Sequence, residues 1–361
     1  MISGHRQIQM MVVILGCAGL LAAAPPQAQA RSTAQWRIAY QNRQNGVFDT
    51  VVANSRADAW AAGAVYHGET LVPVPYLFRW NGGTWRRVTI PGAKNVVIEG
   101  LAASSARNVW LFGQLQDGAL YPARVFRWDG VRWHKMAGPR DLPIGVGNEV
   151  VPGVADVWIL GGTNCVPGPP HCTSDLRHWN GTGWKQYTLP ITGSAIAAES
   201  PTNVWVVGVT GQTTVTGPGR IAAFRWNGHR WVREKLPRIT AQGPSIVMSG
   251  SRVWLHTTSG NTEFVLHWNG FRWHRIGVPA SLFTGGPLVA DGRGGLWIGP
   301  FAHWTGQTWH TVNVPANIVS FVMGGFARVP GTSSYWAGAA ANESVNDPVT
   351  HPTILVYSSE P

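Results

Sequence analysis

The sequence predicts an all-β fold: a seven-bladed β-propeller of four-stranded blades, closed by an N-terminal strand that completes the last blade. Three observations predict it. The first is a hairpin stretch, Phe78-Arg79-Trp80-Asn81-Gly82-Gly83-Thr84-Trp85, with further copies through Trp128 and Trp133, Trp179 and Trp184, Trp226 and Trp231, Trp268 and Trp273, and Trp304 and Trp309. Asn-Gly or Asp-Gly between short aromatic runs signals a β-hairpin, and a two-residue turn there needs φ > 0 at both residues. The second is a unit of the form Asp-Val-Trp-x-x-Gly ahead of each hairpin, centred on Trp60, Trp110, Trp158, Trp205, Trp254, Trp297 and Trp336, at intervals of 39 to 50 residues. Such a period, with several short strands per unit, belongs to β-propellers. The third is the tryptophan left over. The chain has 20 Trp, and the two motifs absorb every one but Trp36, which sits in Gln35-Trp36-Arg37-Ile38 at the far end from its peers.

The chain divides simply. Residues 1–30 read as a signal peptide: His5 and Arg6, an apolar run from Met10 to Ala24, and Ala28-Gln29-Ala30 as a cleavage site. A rival reading makes Cys17, in Ile14-Leu15-Gly16-Cys17, the anchor of a lipoprotein, although the apolar run continues past it. Residues 31–361 are then one propeller domain. Segment 34–40 supplies the outermost strand of the seventh blade, whose next strand, Ile354-Leu355-Val356-Tyr357, carries Tyr357 where the other units have Trp. Pairing the two termini leaves no open interface in the array.

Within a unit the expected order is strand A, a tight polar turn, strand B, a variable loop, strand C, the Asn-Gly corner and strand D. In the second unit these are about Val97–Ala103, Asn108–Gln114, Ala123–Asp129 and Arg132–Met136. Aromatics at one phase in every unit are what packing between blades requires, so the Trp residues are structural first. Cys165 and Cys172, the pair left outside the leader, form a disulfide in an oxidising compartment.

These repeats resemble the Trp-rich propeller repeats of secreted bacterial proteins, in the broad kelch and galactose-oxidase-like class. The motifs that carry the resemblance are Asp156-Val157-Trp158-Ile159-Leu160-Gly161 and His178-Trp179-Asn180-Gly181-Thr182-Gly183-Trp184, and it spans residues 35–357. It implies the fold and leaves activity open, because propellers host enzymes, lectins and scaffolds. Kelch-type Gly-Gly doublets are sporadic, and the Asp-box of sialidases is absent.

Charge narrows the ligand. Lys plus Arg number 28 and Asp plus Glu 17, a formal net charge of +11. A basic secreted protein is drawn to anionic polymers. The residue before each strand-C Trp is basic (Arg79, Arg127, His178, Arg225, His267 and His303), and most strand-D Trp are followed by a base, which suggests a basic belt on the outer strands. Such a belt also discourages edge-to-edge pairing. No metalloprotease, triad or calcium-loop pattern occurs.

Candidate sites lie where the repeat breaks. Eleven residues before the strand-B Trp most units carry Gly or Ser, but the first two carry Asp49 and Glu99, and the third has Asn148-Glu149 one residue later. Carboxylates gathered at a channel mouth hold a cation such as calcium, or share a proton. Loop candidates are Tyr66, His67, Glu69 and His171, with Asp117, Tyr121, Asp347 and His351 on comparable loops. The expected function is a secreted, non-catalytic binding or scaffold module at the cell envelope, its ligand a glycan, an anionic polymer or a protein. The rival is a carbohydrate-active hydrolase or lyase on the same fold.

Overall fold

The computed structural model describes residues 34–358 apart from 68–71, 91, 94, 116–121, 140–147, 167–171, 213–216, 283–285 and 348. The leader, Glu69, Asp117, Tyr121 and His171 lie outside the described residues.

The chain is built from strands and turns. β1 (Gln35–Gln41) comes first and waits for its sheet. Unit one is β2 (Gly46–Ser55), β3 (Asp58–His67), β4 (Val72–Trp80) and β5 (Trp85–Val88); unit two is β6 (Val96–Ser105), β7 (Asn108–Leu115), β8 (Ala123–Trp128) and β9 (Trp133–Met136). Unit three is β10 (Glu149–Gly153), β11 (Asp156–Cys165), β12 (Cys172–Trp179) and β13 (Trp184–Leu189); unit four is β14 (Thr192–Ser200), β15 (Asn203–Thr210), β16 (Gly219–Trp226) and β17 (Trp231–Glu234). Unit five is β18 (Thr240–Ser249), β19 (Arg252–Ser259), β20 (Thr262–Trp268) and β21 (Trp273–Ile276); unit six is β22 (Leu288–Ala290), β23 (Leu296–Ile298), β24 (Ala302–Trp304) and β25 (Trp309–Thr311). β26 (Ser320–Arg328), β27 (Tyr335–Asn342) and β28 (His351–Ser358) end the chain.

The first strands of successive units, β2, β6, β10, β14, β18, β22 and β26, pack each on the next, and β26 packs back on β2. This closed ring of inner strands is a propeller. β1 joins β28 antiparallel, with Trp36 opposite Tyr357, so the order β1-β28-β27-β26 completes the last sheet from the two chain ends.

The sheets correct the expected count. Seven separate blades are predicted; the described residues form five separate four-stranded sheets and one sheet of eight strands. The cause lies in β16. β17 covers only Ala223 to Trp226, leaving the start of β16 with an open edge. The incoming strand takes it: Gly219 pairs Ala241, Arg220 pairs Thr240, and Ile221 N–H donates to the Ile239 carbonyl at 2.9 Å. An unpaired strand edge recruits the nearest extended chain, and here that chain is β18.

The hairpin corner also differs from expectation. Among the described residues Asn95 is the one non-glycine with positive φ, so Asn81 and its counterparts do not adopt it. Only the corner glycines do, with Gly82 at 95° and Gly130 at 104°. The reason is in the side chain. Asn81 Oδ1 accepts from Gly83 N–H and Thr84 N–H at 3.1 and 2.9 Å, and Asp129 Oδ1 does the same for Val131 and Arg132. That Asx turn closes a four-residue loop between the paired Trp80 and Trp85.

The core lies between neighbouring sheets. Six of the seven strand-B tryptophans are at most 1 % exposed. Each stands against the strand-C and strand-D aromatics of the next unit: Trp60 against Trp128 and Trp133, Trp158 against Trp226 and Trp231, Trp205 against Trp268 and Trp273, Trp336 against Trp80 and Trp85. At the seam Trp297 meets Trp36 and Tyr357. Burying each ring removes on the order of 150–250 Å² from water. Cys165 and Cys172 are disulfide-bonded across the β11–β12 hairpin. Among the described residues no helix is long and apolar enough to cross a membrane.

Candidate functional site

At the inner strands the repeat places a β-bulge. The register of β2 slips between Phe48 and Thr50, that of β6 between Ile98 and Gly100, and that of β14 between Gly193 and Ala195. The extra residues are Asp49, Glu99 and Ser194, three of the residues eleven before the Trp. A bulge turns its side chain out of the ladder. Ser194 shows where it points: its Oγ donates to the Pro244 carbonyl of the next unit at 2.5 Å. In unit seven Gly324 and Gly325 fall at the slip. A side chain on either would collide with the backbone of Phe48 to Val51, so glycine there is required by close approach.

Asp49 and Glu99 therefore stand on adjacent units within reach of each other's charge. Burial first, and then the Glu99 charge, push the Asp49 carboxyl up to about 7. Tyr66 and Tyr76 face the same carboxylate. Burial and the Asp49 charge raise both phenols, and Tyr76 Oη donates to the Val47 carbonyl at 2.8 Å. The Glu149 carboxylate packs directly over Gly100, in the space a side chain there would fill. Asn148 serves through its backbone, its carbonyl accepting from Leu160 N–H at 2.9 Å. His67 ends β3 opposite Val72. Among the described residues no three His, Cys, Asp or Glu side chains gather as a metal-ion set.

The expected basic belt divides in two. The bases before the strand-C Trp do not point freely outward. Most lie on the strand-B Trp, and in units one, two and three they reach the acid or amide that opens strand B. Arg79 sits over Trp60 and pairs with Asp58 at 2.7 Å; Arg127 Nε donates to Asn108 Oδ1 at 2.7 Å. His178 stacks on Trp158 with centroids 4.0 Å apart, and its Nε2 lies 3.0 Å from Asp156 Oδ2. Unit six has Gly295 in the acid's place, and Asp291 fills it from four residues upstream: its carboxylate occupies the space of the missing side chain and lies 3.2 Å from His303 Nε2. Two backbone N–H groups and His303 hold the Asp291 carboxyl below its usual range despite its burial. Arg225 departs from the pattern and pairs with Glu234 at 2.7 Å. The true belt is on the fourth strands, where Arg86, Arg87, Lys135, Lys185, Arg233 and Arg275 are exposed.

The acid–base–Trp unit escapes a reading that stops at the Trp residues, yet its signal is one column in the repeat. Two residues before the strand-B Trp stand Asp58, Asn108, Asp156, Asn203, Arg252, Gly295 and Ser334. The fifth member reverses the charge.

Two concavities accompany these groups. One, of about 830 Å³, lies at the seam between Trp36, Trp297, Tyr335 and Tyr357, where unit six has strands of only three residues. The other, of about 620 Å³, lies between units four and five, beside Arg233, Lys235, Trp268, Phe271, Arg272 and Trp273.

No family profile and no curated protein matches the sequence. Solved structures do match in fold. YCF48 bound to D1 peptide superimposes with a TM-score of 0.55 at 14% identity, covering 91% of this chain and 96% of that one. YCF48 from Cyanidioschyzon merolae gives 0.55 at 12%, covering 91% and 100%. A six-bladed fucose-binding lectin from the fungus Aleuria aurantia gives 0.42 at 15%, covering 65% and 80%. At these identities the likeness to the two YCF48 structures is one of fold alone.

Proposed function

We propose that this chain is a non-catalytic binding module that holds an anionic polymer, an acidic glycan at the cell envelope, along its outer strands. The observation that carries this reading is where the charge goes. Asp58, Asp156, Asp291 and Glu234 are engaged by bases inside their own units. The surplus of cations is left on the fourth strands. Cations spaced around a rigid rim attract a polyanion and release its counterions, so binding weakens steeply with salt.

The same proposal includes a ring of seven units, with the eight-stranded sheet counted as two blades joined at β16, within the kelch-like class of secreted propellers. It includes export by the leader, for which the disulfide is supporting chemistry. Peptide capture, which the name of one YCF48 structure describes for that protein, is a competing outcome.

A hydrolase or lyase is the second reading. The Asp49 carboxyl, protonated near neutrality beside Glu99, favours it as a general acid. One experiment separates the two. The protein is incubated with polygalacturonate, and both retention and new reducing or unsaturated ends are measured. The module reading expects salt-sensitive binding without new ends. Turnover that Asp49→Asn abolishes would replace it with the enzyme, and absence of binding at low salt would remove it.

A further inference from the structure

We propose that unit five carries a specific carboxylate site, formed by Arg252 and His267, which the carboxylate of a uronate-bearing glycan completes. The inference rests on the binding role above and names its ligand group. Its basis is a comparison within the molecule. In units three and six a histidine lies flat on the strand-B Trp, and its Nε2 faces an aspartate oxygen at 3.0 and 3.2 Å. Unit five keeps the first half of this arrangement. His267 stacks on Trp254 with centroids 5.0 Å apart and planes within 20°. It lacks the second half. Where Asp156 stands in unit three, unit five has Arg252, and His267 Nε2 is buried without a hydrogen-bond partner among the described residues. A buried ring nitrogen left unpaired is destabilising, and a partner arriving from outside relieves that cost.

The surroundings fit an anion. Arg252 opens β19 and is exposed, and no described carboxylate forms an ion pair with it. Its guanidinium lies against Gly294 of unit six, where a side chain would crowd it. Burial first, and then the charges of Arg252 and His274, hold the His267 imidazole below its usual range. Arg272 Nε donates to His274 Nε2 at 3.2 Å. A carboxylate entering here accepts from the Arg252 fork and from His267 Nε2–H, and so takes the role that Asp156 plays in unit three. Binding strengthens as pH falls and His267 takes up its proton, because the imidazolium then has an opposite charge to face.

The glycan class follows from what adjoins the site. On the other side of the same hairpin lies the groove containing Trp268, Phe271 and Trp273, flanked by Arg233 and Lys235. Phe271 is 89 % exposed at the hairpin tip. An exposed aromatic ring beside cations, over two half-buried indoles, suits pyranose rings that carry carboxylates. Arg272 belongs to both, lining the groove and bonding His274.

The test is calorimetric titration of the full protein with trigalacturonate at low salt and about pH 6. The probes beside it are neutral maltotriose and a short polyglutamate, and the variants are Arg252→Asp, Arg252→Gln and, as a control outside the fourth strands, the exposed Arg43→Gln. The expected result is trigalacturonate binding that Arg252→Asp and Arg252→Gln weaken by about tenfold or more. Arg43→Gln leaves it within about twofold, and maltotriose does not bind. Arg252→Asp restores the pairing of unit three and so is expected to fold. Equal trigalacturonate affinity in wild type and both Arg252 variants overturns the site, and salt-sensitive polygalacturonate binding by the same proteins shows the wider reading standing without it. Preference for polyglutamate overturns the glycan assignment. Trigalacturonate binding at Arg252 without any rim-dependent polymer binding overturns the wider reading alone.

Discussion

Units three and five are built on one plan and differ at one residue. Each has a fully buried tryptophan, Trp158 or Trp254, under a stacked histidine, His178 or His267. In unit three Asp156 closes the arrangement; in unit five Arg252 leaves it open. The difference separates two uses of the same residues. Where the repeat is complete, a basic side chain is internal structure. Where it is broken, the same side chain becomes available to a ligand.

That comparison can be attacked at several strengths. The largest effect concerns what the two units share with the whole ring, namely closure. Deleting residues 34–41 removes β1 and Trp36, and is expected to lower Tm by about 10 °C or more. An unchanged melting curve would break the closure on which every unit's position depends. Next, Trp158→Ala and Trp254→Ala are each expected to cost about 3–5 kcal/mol in urea unfolding, since both rings are buried equally. A large inequality would show that the two cores are not alike.

The direct exchange is smaller. Asp156→Arg copies unit five into unit three and strands His178, at an expected cost of about 1–3 kcal/mol. Arg252→Asp does the reverse and is expected to leave stability unchanged or raise it by up to about 1 kcal/mol. Equal losses in both would contradict the comparison.

Asp49 gives a pH test. Asp49 has its folded pKa at about 7, against 3.8 for the free group. Its contribution is therefore whole below about pH 4, is lost as pH rises toward 7 and the unfolded chain alone ionises, and stays lost above. Asp49→Asn is expected to leave stability unchanged near pH 3.5 and to raise it at pH 8, by on the order of 1–3 kcal/mol, since the largely buried side chain keeps some contact with solvent. A pH-independent effect would show that burial and Glu99 do not govern this carboxyl.

Much of the fold is legible in the residues. The strands of unit two lie within two residues of the positions that its turns and Trp phase predict, and Trp36 pairs with Tyr357 as the leftover aromatics require. Long-range pairing of edges is not legible. Nothing local says that the open start of β16 will capture Thr240 and Ala241, because that depends on where β17 ends. The corner geometry is hidden for a related reason: the Asn81 side chain, rather than a left-handed Asn backbone, makes the turn. That Asp49 and Glu99 break a column of small residues is legible, and in the folded chain the Glu99 charge acts on Asp49. The destination of the bases was not, because alternation puts them opposite the neighbouring Trp without revealing that they lie on the strand-B Trp of their own unit. Asp291 shows the limit of counting columns, for it fills a place four residues away from its own.

The central claim is that ligand chemistry enters where the repeat is broken. The most direct measurement follows the indole N–H resonances of Trp158, Trp254 and Trp297 by NMR during addition of trigalacturonate. The account predicts that Trp254, under the open His267, shifts with saturation while Trp158 and Trp297, under closed pairs, stay in place. Equal movement of all three, or a still Trp254 in a protein that binds the trimer, would contradict it.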